Sequence, residues 1–210
     1  MVDVAVVDYG MGNLRSVEQA LRKVAPAAEI VVSDDAVTIS EARRVVFPGQ
    51  GAMPDCMREL DTRGLRDAVL LAARSKPFLG ICIGLQMLFE HSAEGGVAGL
   101  GILPGKVARF AGNMRDAQGN KLKVPHMGWN QVHHGQHPLW DGIEQDARFY
   151  FVHSYYVQPQ DASLVQATSQ YSQSFVCAVA KHNLFAVQFH PEKSSTAGLK
   201  LLQNFVQWNP

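Results

Sequence analysis

At 210 residues the chain is long enough for one well-cored domain and short for two, and 47% hydrophobic with 18% charged residues is an ordinary globular composition. Its 19 basic and 19 acidic residues cancel, which argues against a nucleic-acid or anionic-membrane partner. No run is long enough to span a membrane, Met1-Val2-Asp3-Val4 lacks the basic start of a signal peptide, and the three cysteines have no metal-type spacing, so a cytosolic protein with neither disulfide framework nor metal site is expected.

Val2 to Val7 is nearly all apolar, the pattern of a strand covered on both faces. It runs into Asp8-Tyr9-Gly10-Met11-Gly12-Asn13, and Asn13 is a candidate helix N-cap because Leu14, Val17, Leu21 and Val24 follow at helical spacing. Two glycines after a strand hint at a dinucleotide turn, but that motif's third glycine is replaced by Arg15. Glu29 to Val32 and Arg43 to Phe47 read as the next two strands. The second delivers Pro48-Gly49-Gln50-Gly51, which is either an ordinary strand-to-helix turn or a loop whose glycines let backbone N–H groups face a ligand. Leu65, Val69, Leu70 and Ala73 mark one amphipathic helix between Leu60 and Arg74.

Pro77 leads into a short apolar run that tightens at Gly80-Ile81-Cys82-Ile83-Gly84 and continues with apolar residues at helical spacing, which reads as strand, sharp turn and helix. Small residues flanking an apex leave its side chain exposed, and the start of a helix favours thiolate over thiol, so Cys82 is a candidate nucleophile. Its other reading is a buried structural cysteine between packing glycines. Cys56 and Cys177 have no such turn around them and read as structural. Strand–helix alternation to this point implies a parallel sheet with ligands at the carboxyl ends of its strands.

After residue 95 the rhythm changes to short strands at close spacing: Lys106 to Phe110, Lys121 to Val124, Gln131 to His133, Phe149 to His153, Tyr155 to Gln158, Val165 to Thr168 and Phe175 to Ala180. His133, His134 and His137 lie in a polar stretch without obvious carboxylate or thiol partners, so no metal is expected there. Leu184 to Phe189 is a last strand ending in His190-Pro191-Glu192. Residues two apart in an extended chain point to one side, so His190 and Glu192 can share a site. A thiol nucleophile needs a base and a group to orient that base, and Cys82, His190 and Glu192 supply the three chemistries. Leu199, Leu202, Phe205 and Val206 place a closing helix. The expected fold is α/β, a mostly parallel open sheet flanked by helices with antiparallel strands added in the C-terminal half, forming a single domain over residues 1–210.

With these motifs together the chain resembles the class I, or triad-type, glutamine amidotransferases. Within them Asp8-Tyr9-Gly10-Met11-Gly12-Asn13-Leu14, Lys123-Val124-Pro125-His126-Met127-Gly128-Trp129-Asn130 and Gln188-Phe189-His190-Pro191-Glu192-Lys193-Ser194 resemble the glutaminase subunits of imidazole glycerol phosphate synthase. The resemblance implies hydrolysis of glutamine through a Cys82 thioester, with His190 oriented by Glu192 and no cofactor. It implies an oxyanion site from backbone N–H groups of Gly49, Gln50, Gly51 and Ile83, substrate contacts from Gln86, Ser154 and Tyr155, and ammonia transfer to a TIM-barrel cyclase partner. Asn13, Trp129 and Lys193 resemble positions at that partner's interface, and reorientation of the Gly49-Gln50-Gly51 peptides is the expected activation switch. The loops at 113–120 and 133–140 match no motif. A subunit feeding a different synthase, a cysteine hydrolase of another α/β type, and a scaffold that has lost activity are the competing readings. The intact set of three and Gln86 oppose the last two.

Overall fold

In the computed structural model, which describes residues 2–116 and 118–210, the apolar runs become parallel strands. Val4–Val7 (β1), Ile30–Ser33 (β2), Arg44–Gly49 (β3), Phe78–Cys82 (β4) and Leu184–Val187 (β14) form the order β2-β1-β3-β4-β14, all in parallel register. They are buried throughout β1, β4 and β14 and half-buried at the β2 edge. The connections between them contain Leu14–Val24 (α1), Ala36–Glu41 (α2), Met53–Thr62 (α3) and Arg66–Ser75 (α4). The crossovers β1-to-β2 and β2-to-β3 run in opposite directions across the sheet, so right-handed connections place α1 and α2 on opposite faces. Accordingly α1 packs against the C-terminal helix Ser195–Gln207 (α6), and α2 against α4. Burying side chains such as Phe47, Phe78 and Phe185 contributes about 1.5–3 kcal/mol each relative to exposure.

The single helix expected between Leu60 and Arg74 is instead two. Gly64, at φ +68°, breaks it, and after Leu65 as N-cap a second helix starts at Arg66 with Ala68, Val69, Ala72 and Ala73 on its buried face. The six-residue α2 carries too little apolar periodicity to be read from sequence. What fixes it is Asp35, whose carboxylate accepts from the N–H groups of Val37 and Thr38 at 3.4 and 2.8 Å. The helix expected after Cys82 is a single turn, Ile83–Gln86 (α5), after which the chain turns back into Phe89–Ser92 (β5) and Val97–Ala98 (β6).

The antiparallel half extends the same sheet through Gln173–Lys181 (β13), Tyr155–Pro159 (β11) and Leu103–Arg109 (β7), with β5 parallel to β7 and β6 at the edge. Val165–Tyr171 (β12) pairs with β13 and with the short His133–His134 (β9). His126–Gln131 (β8) and Arg148–His153 (β10) form a separate two-stranded antiparallel sheet. Lys121 to Val124 is not a strand: one isolated bridge, Arg115 to Lys121, closes the loop there, because the chain must turn towards β8. Ala117 in the 113–120 loop lies outside the described residues. Among the described residues no helix is long and apolar enough to cross a membrane.

Candidate active site

Cys82 ends β4 with φ +56° and ψ −110°, a backbone conformation that costs a non-glycine residue energy and aims its side chain out of the sheet. Tight packing around the turn explains its glycines. A Cβ on Gly84 would overlap the Phe47 carbonyl oxygen, so only glycine lets α5 approach β3 this closely. A Cβ on Gly49, paired with Cys82 across β3 and β4, would overlap the Tyr9 hydroxyl. Because α5 has only four residues, little helix dipole acts on the sulfur, and the expected dipole argument carries less than the turn itself.

Around Cys82 lies a cavity of about 240 Å³, the size of an amino acid, walled by Gln50, Gly51, Ile83, Gln86, Glu94, Pro125, Val152, His153, Ser154, Tyr155, His190 and Lys193. His190 and Glu192 come together differently from the sequence-based expectation. β14 stops at Val187, and Pro191–Lys193 form one 3₁₀ turn with proline pre-set at its first position. That turn, rather than a strand pleat, puts His190 Nδ1 2.9 Å from Glu192 Oε1. The backbone of His190 is clamped by β10: its N–H donates to Tyr150 O at 2.9 Å, Ser194 Oγ donates to His190 O, and the Tyr150 N–H donates to Ser194 Oγ at 3.0 Å.

The histidine and its carboxylate are 5% and 1% exposed. Burial pulls the imidazole down, but negative charge at Cys82 and the hydrogen-bonded Glu192 outweigh it and push the group up to about 10. His190 Nε2 has no hydrogen-bond partner among the described residues, so the face opposite Glu192 is free to exchange a proton in the cavity. Burial pushes the Cys56 thiol up to about 11 and that of Cys177 higher still, which fits structural roles. Cys56 Sγ nevertheless donates to Gln50 O at 3.6 Å and so ties down the Pro48–Gly51 loop.

A chain of amides continues from the thiol. Gln188 Nε2 donates to Cys82 Sγ at 3.8 Å, and Gln86 Nε2 donates to Gln188 Oε1 at 3.0 Å and to Tyr155 O at 3.2 Å. Gln86 Oε1 is buried without a partner among the described residues. Of the residues singled out from sequence, Gln50, Gly51, Ile83, Gln86, Ser154, Tyr155 and Lys193 share the cavity wall with Cys82 and His190. Gly49 and Glu192 stand behind it. Asn13 and Trp129 are outside it. Asn13 does sit at the N-cap of α1 but its side chain makes no capping bond. Trp129 is 48% exposed on β8, its ring edge-on to Tyr150, beside Met127 at 62%.

Sequence reasoning misses Glu94 and His153. Glu94 is the carboxylate in the wall, held by the Met53 N–H at 2.8 Å, and sits in a loop with no periodic signal. His153 closes the strand read from Phe149 and lies in the Tyr150-to-Tyr155 stretch that resembles the family, but neither assigns it a role. His133, His134 and His137 take separate local tasks: His133 faces Asp146 at 3.3 Å, a carboxylate the sequence spacing does not suggest, His134 stacks on Trp140, and His137 caps the turn Pro138–Trp140.

Residues 5–208 match the family model described as glutamine amidotransferase class-I. "Imidazole glycerol phosphate synthase subunit HisH" of Thiobacillus denitrificans is 66% identical over 100% of this chain and 92% of its own length, and that of Aromatoleum aromaticum is 64% identical over the full length of both. A solved structure described as PurLQS from Thermotoga maritima superposes with a TM-score of 0.71 at 19% identity, covering 98% of each chain. The crystal structure of a putative GMP synthase protein from Thermoplasma acidophilum gives 0.70 at 19%, covering 99% of this chain and 93% of its own. Those two likenesses speak to fold. The sequence relatives go further, and the chain belongs to the class-I glutamine amidotransferase family, in the branch of the imidazole glycerol phosphate synthase subunits HisH.

Proposed function

We propose that the chain is a glutaminase that hydrolyses L-glutamine to glutamate and ammonia and passes the ammonia to a TIM-barrel cyclase partner, the two together making imidazole glycerol phosphate and an aminoimidazole carboxamide ribotide in histidine biosynthesis. The observation that carries this reading is Cys82 on its strained turn in one cavity with the His190–Glu192 pair. Cys82 Sγ attacks the side-chain carbonyl carbon, the C–N bond breaks, and a γ-glutamyl thioester forms. His190 Nε2 gives its proton to the departing ammonia, then takes one from water, whose oxygen attacks the thioester to release glutamate and restore the thiol. Glu192 holds Nδ1–H and stabilises the imidazolium.

Backbone N–H groups of Gly51 and Ile83, with the Gly49–Gln50 peptide behind them, are the oxyanion donors in this reading. Gln86 Oε1 and the Glu94 carboxylate accept from the substrate's ammonium, and Ser154 and Tyr155 contact its carboxylate end. No cofactor takes part. Met127 and Trp129, exposed and apolar, are suited to a protein partner, with Lys193 and Asn13 at the same interface. A single amidotransferase domain over residues 1–210 and a cytoplasmic site of action complete the reading.

Glutamine hydrolysis by the purified chain, alone and with the cyclase plus its ribonucleotide ligand, tests it. Strong stimulation that disappears in Cys82→Ala is expected. Cys82-dependent hydrolysis indifferent to the cyclase would leave the chemistry and remove the partner. Gly49→Ala and Gln50→Pro restrict the loop, and full ligand stimulation in both would reject its reorientation as the switch.

A further inference from the structure

The catalytic reading leaves two buried histidines unused, His153 in the cavity wall and His126 behind it. His153 Nδ1 is 2.7 Å from Tyr155 O, a group that can only accept, so the proton is on Nδ1. The neutral ring then accepts at Nε2, where His126 Nδ1 lies at 2.9 Å and must be the donor. His126 in turn accepts at Nε2 from Asn130 Nδ2 at 3.2 Å, and the Asn130 amide is oriented by its bonds to Gln170 O and the Gln131 N–H. Each link fixes the next. The relay runs one way, from Asn130 on β8 through both imidazoles to the carbonyl of Tyr155.

That carbonyl also receives Gln86 Nε2, whose other bond leads through Gln188 to Cys82 Sγ. We propose that His153 and His126 are positioning residues for the glutamine pocket, a relay of two imidazoles with fixed tautomers that holds the Tyr155 carbonyl and, through it, the Gln86 amide. The surroundings support it. His126 is stacked on Tyr171 at 4.1 Å and on Phe151 at 5.0 Å, while Phe110 and Phe175 each lie 5.2 Å from His153. Burial among these rings pushes His126 down to about 4 and His153 to about 3, so both stay uncharged and keep an acceptor nitrogen. An apolar pair of the same shape would fill the space. It would not orient a carbonyl that serves the pocket.

The inference rests on the glutaminase reading and is tested in the complex with the cyclase and its ligand, by KM for glutamine, kcat and thermal midpoint. His153→Phe and His126→Phe keep ring volume and remove the relay, and KM is expected to rise about 10- to 100-fold with a smaller change in kcat. His126→Asn places an amide nitrogen near the lost Nδ1 and is expected to recover most of the KM. Asn130→Asp, at the outer end of the relay, tests the same link if the ring variants fail to fold, and a several-fold rise in KM is expected. Folded variants with a lowered thermal midpoint and unchanged KM, or His126→Asn impaired as much as His126→Phe, would overturn the positioning role alone. A wild-type complex without glutaminase activity would overturn the function and this inference together.

Discussion

Two groups of histidines meet at one cavity and are held in opposite states. His190, beyond the parallel strand β14, faces negative charge at Cys82 and a carboxylate 2.9 Å away, and is pushed up to about 10. His126 and His153, on the two-stranded sheet, are about as buried but face only rings, an amide and a carbonyl, and are pushed down to about 4 and about 3. Burial lowers all three. What differs is whether an anion accompanies it, so the partner, and not the depth, decides which histidine carries a proton.

The strongest way to break that contrast is to remove the anion. Glu192→Gln should lower kcat by about 10⁴-fold, since the imidazolium loses its charge partner and the ring its orientation. The ring's titration, followed by ring-proton NMR, should move down from about 10, with the charge at Cys82 still acting to raise it. A His190 signal that still titrates near 10 in this variant would mean that Glu192 is not what holds the proton.

Next in size is the pH dependence of stability, where the two groups act with opposite sign. His126 and His153 bind protons more weakly folded than unfolded, so their contribution is present above about pH 6.5 and lost as pH falls towards 4 and then 3. His137, also pushed down to about 4, adds to that acid limb. His190 binds its proton more tightly folded, so its contribution is complete below about pH 6.5 and lost as pH rises through about 10. Urea midpoints should therefore fall between about pH 6.5 and about 4 by the equivalent of a few kcal/mol. The double variant His126→Phe with His153→Phe should flatten that limb and leave the alkaline one. Parallel acid limbs in the two proteins would contradict the uncharged assignment.

Both groups hang on the same strand, β10, through Tyr150 and His153. Ser194→Ala removes the hydroxyl that joins Tyr150 to the His190 carbonyl, and should cost about 1–3 kcal/mol in stability with roughly tenfold in kcat. A kcat loss without any loss of stability would point to a role for Ser194 beyond the clamp. The smallest effect is expected from Tyr171→Phe, which keeps the ring on His126 and removes only the hydroxyl donated to Lys123 O at 2.7 Å. About 0.5–1.5 kcal/mol should be lost in chemical denaturation, with KM for glutamine unchanged.

How legible each group is follows from the range of the forces that build it. The cysteine turn is legible because apolar run, glycines and apex residue adjoin in sequence, although the contact that makes Gly84 necessary is a tertiary one with Phe47 on the neighbouring strand. His190-Pro191-Glu192 is contiguous as well, although proline makes it a 3₁₀ turn where spacing alone predicts extended chain. Glu94 and the His126–His153 relay leave no such trace. Their partners lie 41 and 27 residues away, and no spacing rule connects them.

By itself, then, the sequence determined the α/β class, the buried parallel strands and the three chemistries at Cys82, His190 and Glu192, because apolar runs, glycines and a proline act on the chain within a few residues. Only the tertiary structure decided that one expected helix becomes two at Gly64, that Lys121 to Val124 makes no strand, and which histidines are charged. Packing across the sheet sets the first two, and the electrostatic surroundings supplied by distant segments set the last.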